Sequence, residues 1–427
     1  MITQANIFRK MQKPVGVLGA GITGRAICRF LEIQEVSTKI YAQDSTHFSL
    51  KDQSLREHDL FIFSPGFTLE HPWVKKVKTA KITFLSELDF ASIFWKGNLI
   101  AITGTNGKTT TTTFINNVLQ NSGYSSYAVG NIGTPFCNIL ECAGEDTNAY
   151  AICEVSSFQA EQLVSFFPDY VIWTNFTCDH LDRHKTIENY FSAKLKLLKK
   201  TQKKAFIGQD VTDFITSKGD IIPEFCELIN ESSYKYPIPL NSPFDSPPQD
   251  ENYRMAHRLL AELGVSAKTI ERTVARFKLP PHRLKKILEW EGITFWNDSK
   301  STNWGATLGA FSHFTEPVHW IGGGSSKGED PERLLSGLEK KIKYAYLIGE
   351  VSDKLSVACQ TSQISSQQYP NLESAFKACL EKAVSGDIIL FSPGFASFDQ
   401  FQNYSHRGNY FENLVLGLKK EDSKVNN

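Results

Sequence analysis

The feature that most restricts this chain is a transition it repeats. A short apolar run empties into a glycine-rich or polar loop, and a helix-like stretch follows. "PVGVLGAGITG", "NLIAITGTNGKTT", "YAICEVSSF", "DYVIWTNFT", "PVHWIGGGSSKG" and "DIILFSPGF" all have this form. Alternating strand and helix patterns predict α/β architecture with largely parallel sheets. The chain has 427 residues, enough for about three domains at roughly 150 residues each. The first section fades near "ASIFWKGN", and Pro280 and Pro281 stop a helix before the last section. The expected domains are therefore 1–95, Rossmann-like; 96–279, P-loop ATPase-like with a parallel sheet; and 280–427, Rossmann-like again. The Pro-rich "YPIPLNSPFDSPPQD" reads as a loop inside the second.

Composition excludes several function classes. The 46 Lys and Arg residues balance 46 Asp and Glu, so no net field favours nucleic acid or an anionic surface. No apolar run approaches the roughly 20 residues that span a bilayer. The start of the chain lacks the apolar core of a signal peptide. Eight cysteines lie scattered without C-x-x-C pairing, as suits free thiols in a reducing compartment. The expectation is a soluble, cytoplasmic, monomeric protein that neither binds nucleic acid nor enters a membrane.

"GTNGKTT", residues 104–110, follows an apolar run and opens a helix-like stretch. Glycine lets backbone N–H groups approach phosphate, and a lysine and a hydroxyl supply a cation and a Mg²⁺ ligand. Lys108 and Thr109 suit those roles. Only Thr105 and Asn106 separate Gly104 from Gly107, two residues fewer than a common P-loop has. Glu154 closes the strand-like "YAICE"; it is either a solvated strand end or the acid that holds Mg²⁺ in P-loop enzymes. "TNFTCDHLDRH" gathers Asp179, His180, Asp182 and His184 in one loop without zinc spacing, so it is either a polar surface loop or a Mg²⁺ site. In "TIENYFSAKLKLLKK", Ile187, Tyr190, Phe191, Leu195 and Leu198 form an apolar stripe, and Lys194 falls on its seam. It either snorkels to water or is carried inward for chemistry or modification.

Gly19-x-Gly21-x-x-Gly24 after "VGVL", with Asp44 ending the next run, is a weak dinucleotide fingerprint. It suits a phosphate or ribose ligand without specifying NAD. Asp298, Lys300, Thr302, Lys327, Ser397, Tyr404 and Arg407 occupy polar loops in the last section. Together they suggest a cationic pocket for an anionic small molecule.

In this order, "GAGITG", "SPGF", "GTNGKTT", "GNIGTP", "EVSSFQ", "DHLDRH", "AKLK", "PHR", "NDSKSTN", "GGSSKG" and "SPGFASFDQFQNYSHRG" resemble the Mur ligases along nearly the whole chain. The resemblance is nearest to the branch that adds D-glutamate, and the short glycine loop is that family's own form. It implies an ATP-dependent carboxylate–amine ligase with UDP-N-acetylmuramoyl-L-alanine and D-glutamate as substrates and two Mg²⁺ sites. By resemblance, Ile22, Thr23, Asp44, Ser45, Gly66, Asn131 and His180 contact the UDP-substrate. ATP falls to Gly104, Thr105, Asn106, Gly107, Lys108, Thr109, Thr110, Asn252, His282, Arg283, Asp298 and Lys300. Thr302, Lys327, Ser397, Phe398 and Tyr404 take D-glutamate. Thr109, Glu154, His180 and Lys194 serve the metals, Lys194 as a carbamate, and Lys108, His180 and Lys194 are the catalytic set. Two departures stand out: Met255 where a second asparagine is expected near adenine, and Phe398 and Tyr404 in altered pocket positions. Folylpolyglutamate synthetases share the short loop and the modified lysine but lack such an N-terminal domain. Another ligase of the family, adding L-alanine or a diamino acid, is a nearer alternative; those for diamino acids typically carry an Asn-Pro-Arg loop that this sequence does not have. A nucleotide-binding regulator would have no use for Glu154, His180 and Lys194 together.

Overall fold

A computed structural model describes residues 2–43, 46–234, 236–245, 247–326, 335 and 338–425, with side chains described as far as residue 419. Its described strands form three sheets. The first holds β1 (Val15–Leu18), β2 (Thr38–Tyr41), β3 (Leu60–Phe63) and β4 (Thr83–Ser86), in the order β2-β1-β3-β4 and parallel throughout. The second holds β5 (Asn98–Thr103), β6 (Ser126–Gly130), β7 (Tyr150–Glu154), β8 (Tyr170–Trp173), β9 (Lys204–Ile207) and β10 (Cys226–Leu228). Its order is β10-β9-β8-β5-β7-β6, again all parallel.

The third sheet holds β11 (Lys285–Trp290), β12 (Ile293–Asn297), β13 (Val318–Gly323), β14 (Ile342–Ile348), β15 (Ser366–Gln368) and β16 (Ile388–Gly394). The order is β11-β12-β16-β13-β14-β15, with only the β11–β12 hairpin antiparallel. A parallel strand covered on both faces reads as an unbroken apolar run, which is why β3, β7 and β13 are buried at every position. In β13, Trp320 packs with Phe311, Leu355 and Phe395, while the next residue, Ile321, packs with Phe295, Phe376 and Phe411. The period of two thus divides the third core between the two faces of its sheet.

The chain separates into two compact units. One comprises 1–176, 188–242 and 251–277; the other comprises 177–187, 243–250 and 278–427. The first two sheets share the first unit, and buried polar anchors join them. Asp89 Oδ1 accepts the backbone N–H groups of Val164 and Ser165, at 2.9 and 2.7 Å. Glu87 Oε1 accepts that of Cys137 at 2.7 Å. Gln162 Nε2 donates to the Phe67 carbonyl at 2.8 Å.

Burial pushes the Glu87 carboxyl up to about 7, against the pull of the Cys137 and Phe136 N–H groups. Its folded pKa exceeds the unfolded value, so the native state binds the proton more tightly. Stability from this group is complete below about 4.5 and is lost as pH rises to about 7. Glu87→Gln keeps the acceptor and never ionises. It should gain on the wild type across that window by on the order of 3 kcal/mol, checked by thermal melts at a series of pH values; a constant difference would refute the assignment.

Candidate functional site

Everything around the P-loop follows from where β5 stops. Gly104, at φ 147, leaves the strand; a Cβ there would lie 1.9 Å from the Thr174 hydroxyl. Gly107, at φ 83, caps the helix Lys108–Asn121, and a Cβ there would meet Asn252 Oδ1 at 2.0 Å. Both positions therefore require glycine. The exit of β8 clamps the loop from the side. Thr174 donates to the Asn106 carbonyl at 2.6 Å, and Asn175 Oδ1 accepts the Asn106 N–H at 2.8 Å. The Thr105 N–H donates to the Asn175 carbonyl at 3.1 Å, and Tyr190 Oη donates to Thr105 Oγ1 at 3.1 Å. Sequence reasoning missed Thr174, Asn175 and Tyr190 as loop-holding groups; the polar "TN" directly after an apolar strand was the available signal.

Two lysines converge on this loop. Lys108 Nζ donates to the carbonyls of Gly104 and Thr105, each at 2.8 Å. Lys194 Nζ donates to the same Gly104 carbonyl at 2.8 Å and to Thr103 Oγ1 at 3.3 Å. Lys194 is only 1% exposed and stands over the Tyr190 ring at 5.0 Å. The open question about the seam lysine is thus answered: it is carried inward while Lys196 and Lys199 stay exposed. The stripe itself needs one correction, since Leu195 is half-buried and Leu197 takes the core position.

One strand over, Glu154 pairs in register with Ile102 of β5 and is 2% exposed. Its Oε1 accepts from Asn131 Nδ2 at 2.8 Å, while Oε2 has no hydrogen-bond partner among the described residues. A buried carboxylate oxygen left unmatched is costly, and a hard cation is its natural partner. Thr109 is the second residue of the helix Lys108–Asn121, and Thr110 is buried. Asn252 accepts from Thr111 Oγ1 at 3.5 Å. Met255 is 1% exposed and belongs to the core; a Cβ on Gly208 would lie 3.1 Å from its terminal methyl.

In the first sheet, Gly24 is needed because a Cβ there would lie 1.8 Å from the Gly19 carbonyl oxygen. Gly21 caps the helix Ile22–Ile33. Ile22 is 62% exposed at its start, Thr23 is half-buried, and exposed Gly66 follows β3. Asp44 and Ser45 lie outside the described residues.

The second unit collects the other expected residues. Asp298 accepts the Leu284 N–H at 3.0 Å and the Ser392 hydroxyl at 2.8 Å. Burial pushes its carboxyl up to about 7 against those bonds and the charges of Arg283 and Arg407. His282, at φ 62, lies 3.0 Å from Asn297 Nδ2, and burial lowers its pKa. Lys300 sits 3.8 Å from the centre of the Tyr404 ring. Burial raises the Tyr404 phenol, but Lys300, Ser405 and Arg283 together outweigh it and the net shift is downward. Arg407 is 1% exposed and donates to Ser299 and to the carbonyls of Ala396 and Phe395. Ser397 is buried, Thr302 half-buried and Phe398 75% exposed. His180, at φ 55, precedes the turn Leu181–His184 in this same unit. Lys327 lies outside the described residues.

A glycine loop clamped between parallel strands, a buried acid one strand away and a lysine beneath define an α/β protein with a P-loop nucleotide site. The Mur ligase middle domain profile matches residues 102–229. A UDP-N-acetylmuramoylalanine--D-glutamate ligase of Koribacter versatilis is 32% identical, over 96% of this chain and 99% of that one. A pseudomurein peptide ligase type C from Methanothermus fervidus has a similar fold at TM-score 0.62 and 15% identity, over 95% of this chain and all of that one. MurF ligase from Thermotoga maritima, solved with ADP, is similar at TM-score 0.59 and 15% identity, over 97% and 95%. The chain belongs to the Mur ligase family, and is an ATP-dependent carboxylate–amine ligase.

Proposed function

We propose that this enzyme joins D-glutamate to UDP-N-acetylmuramoyl-L-alanine, a cytoplasmic step in peptidoglycan precursor synthesis, and that it works as a monomer of three functional domains, 1–95, 96–279 and 280–427. The observation that carries the reading is the pair of lysines on the Gly104 carbonyl, one strand from a buried acid with an unmatched oxygen.

The amides of Gly104 to Gly107 and the start of the helix at Lys108 receive the ATP phosphates, with Lys108 turning from the loop carbonyls to the γ-phosphate. Asn252, His282, Arg283, Asp298 and Lys300 hold the rest of the nucleotide. Thr109, Glu154, His180 and a carbamate on Lys194 would hold two Mg²⁺ ions. Bound Mg²⁺ would neutralise the phosphate charge that otherwise repels the substrate carboxylate. The carbamate has a physical rationale. Two ammonium groups on one carbonyl repel; when the neutral Lys194 amine attacks CO₂ and loses a proton, one of the two cations becomes an anion.

Ile22, Thr23, Asp44, Ser45, Gly66 and Asn131 position the UDP-substrate so that its alanyl carboxylate attacks the γ-phosphorus, releasing ADP and leaving an acyl phosphate. Thr302, Lys327, Ser397, Phe398 and Tyr404 present the D-glutamate amine to the acyl carbon, and phosphate leaves. The test is an amino-acid panel with UDP-N-acetylmuramoyl-L-alanine, read by product mass. Only D-glutamate should give product, with phosphate release dependent on both substrates; release indifferent to the amino acid would exclude this function.

A further inference from the structure

The loop that bears His180 belongs to the second unit, although the strand before it and the helix after it belong to the first. Residues 177–187 group with 278–427, whereas β8 and nearly all of the helix Ile187–Leu198 group with the P-loop. A buried contact inside the second unit ties this loop to the residues that precede the helix Trp304–Ser312. Asn303 Nδ2 donates to Asp179 Oδ2 at 3.1 Å, and each residue is 4% exposed. Asp179 Oδ1 accepts the His180 N–H at 2.8 Å, and the His180 ring nitrogen Nε2 lies 3.5 Å from Asp179 Oδ2. Asp179 thus holds the His180 backbone and lies beside its ring, and Asn303 holds Asp179.

Behind Asn303 the bonding is continuous. Its Oδ1 accepts the Ala306 N–H at 3.0 Å, capping the helix Trp304–Ser312. Its carbonyl accepts from Ser301 Oγ at 3.4 Å, and Ser301 and Thr307 share a 2.6 Å hydroxyl contact. Ser392 Oγ then bridges Thr307 Oγ1 at 3.0 Å and Asp298 Oδ2 at 2.8 Å. Thr302, proposed above to meet the incoming amino acid, is the residue between Ser301 and Asn303. The loop is also costly to hold on its own: His180 and Lys185, neither of them glycine, both take left-handed backbone angles. Such a conformation persists where its surroundings enforce it.

We propose that Asn303 is a positioning residue for His180: its side-chain amide binds the 177–187 loop to the amino-acid pocket, so that filling the pocket at Thr302 orders His180. The inference rests on the functional reading for the identity of the amino acid and for the roles of Thr302 and His180. It makes the order of events physical, because His180 would reach its working position when the acceptor amine is present.

The cap and the tether are separable. Serine and aspartate cap helices about as well as asparagine, so Asn303→Ser removes the donor and leaves the cap. Hydrogen–deuterium exchange is followed across 177–187 in the full-length enzyme with UDP-N-acetylmuramoyl-L-alanine, with and without D-glutamate. In the wild type, D-glutamate should slow exchange of this loop. In Asn303→Ser that slowing should vanish, and kcat should fall roughly tenfold to a hundredfold, as for loss of a bond to a charged group, with the KM for ATP nearly unchanged. Asn303→Asp sets two carboxylates together and should behave likewise. Combining it with Asp179→Asn returns a donor and an acceptor in exchanged positions and should restore the D-glutamate-dependent slowing. Slowing that persists in Asn303→Ser, or a double variant no better than Asn303→Asp, overturns the proposal. A wild type that forms no product with D-glutamate counts instead against the functional reading.

Discussion

Lys194→Ala should lose at least about a thousandfold in turnover, beyond the hundredfold to thousandfold typical of removing one electrostatic contact in an active site. A short carboxylic acid such as acetate should restore part of it. The expectation comes from the surroundings of Nζ. An ammonium group 1% exposed, sharing a carbonyl with Lys108, is a poor use of a buried charge, whereas its carbamate would be an oxygen ligand where phosphate and metal must meet. Lys194→Arg separates charge from chemistry. Arginine stays cationic and forms no carbamate, so it should be as inactive as alanine and should not respond to acetate. Labelled CO₂ gives an independent readout: a carbamate carbon resonance in the wild type that is absent from both variants. An active Lys194→Arg enzyme would mean that the lysine serves as a cation, and the carbamate would have to be abandoned.

How far such a site can be read from sequence depends on whether local pattern or tertiary contact fixes each group. The alternation of apolar runs with glycine loops was enough for three α/β sheets, because strands buried on both faces leave unbroken apolar segments such as "LFIF" and "YAICE". Lys194 was legible as a seam residue from helical spacing, but only the fold decides between snorkelling and burial; Tyr190, Thr103 and Gly104 come from segments about ninety residues apart. Thr174 and Asn175 passed unnoticed because their work is done on a backbone loop some seventy residues earlier. The Pro-rich stretch was expected inside the central domain, yet 243–250 groups with the second unit, as does the His180 loop. Proline and glycine mark where a chain turns; they carry no information about which neighbour the turn packs against. Asn303 is the strongest case, since a cap residue is visible locally and its tether to Asp179 spans 124 positions.

Glu154→Gln should change activity and stability in opposite directions. The glutamine keeps an oxygen for Asn131 Nδ2 and removes the buried charge whose second oxygen has no partner among the described residues. If the acid is there to hold Mg²⁺, its ionised form is a standing cost to the metal-free fold, on the order of 1–3 kcal/mol for an unsatisfied buried group. The metal-free variant should therefore melt at or above the wild-type temperature. Its ATP-dependent phosphate release should drop by about 10²- to 10³-fold, and Mg²⁺, which should raise the melting temperature of the wild type, should leave that of the variant unchanged. Such a trade is common where a site is strained for function. A purely structural acid would do the reverse: Glu154→Gln would weaken the anchor between β7 and the Asn131 turn, lower the melting temperature and leave the Mg²⁺ response intact. Because the two accounts differ in the sign of the stability change, a pair of melting curves with and without Mg²⁺ decides between them before any turnover is measured.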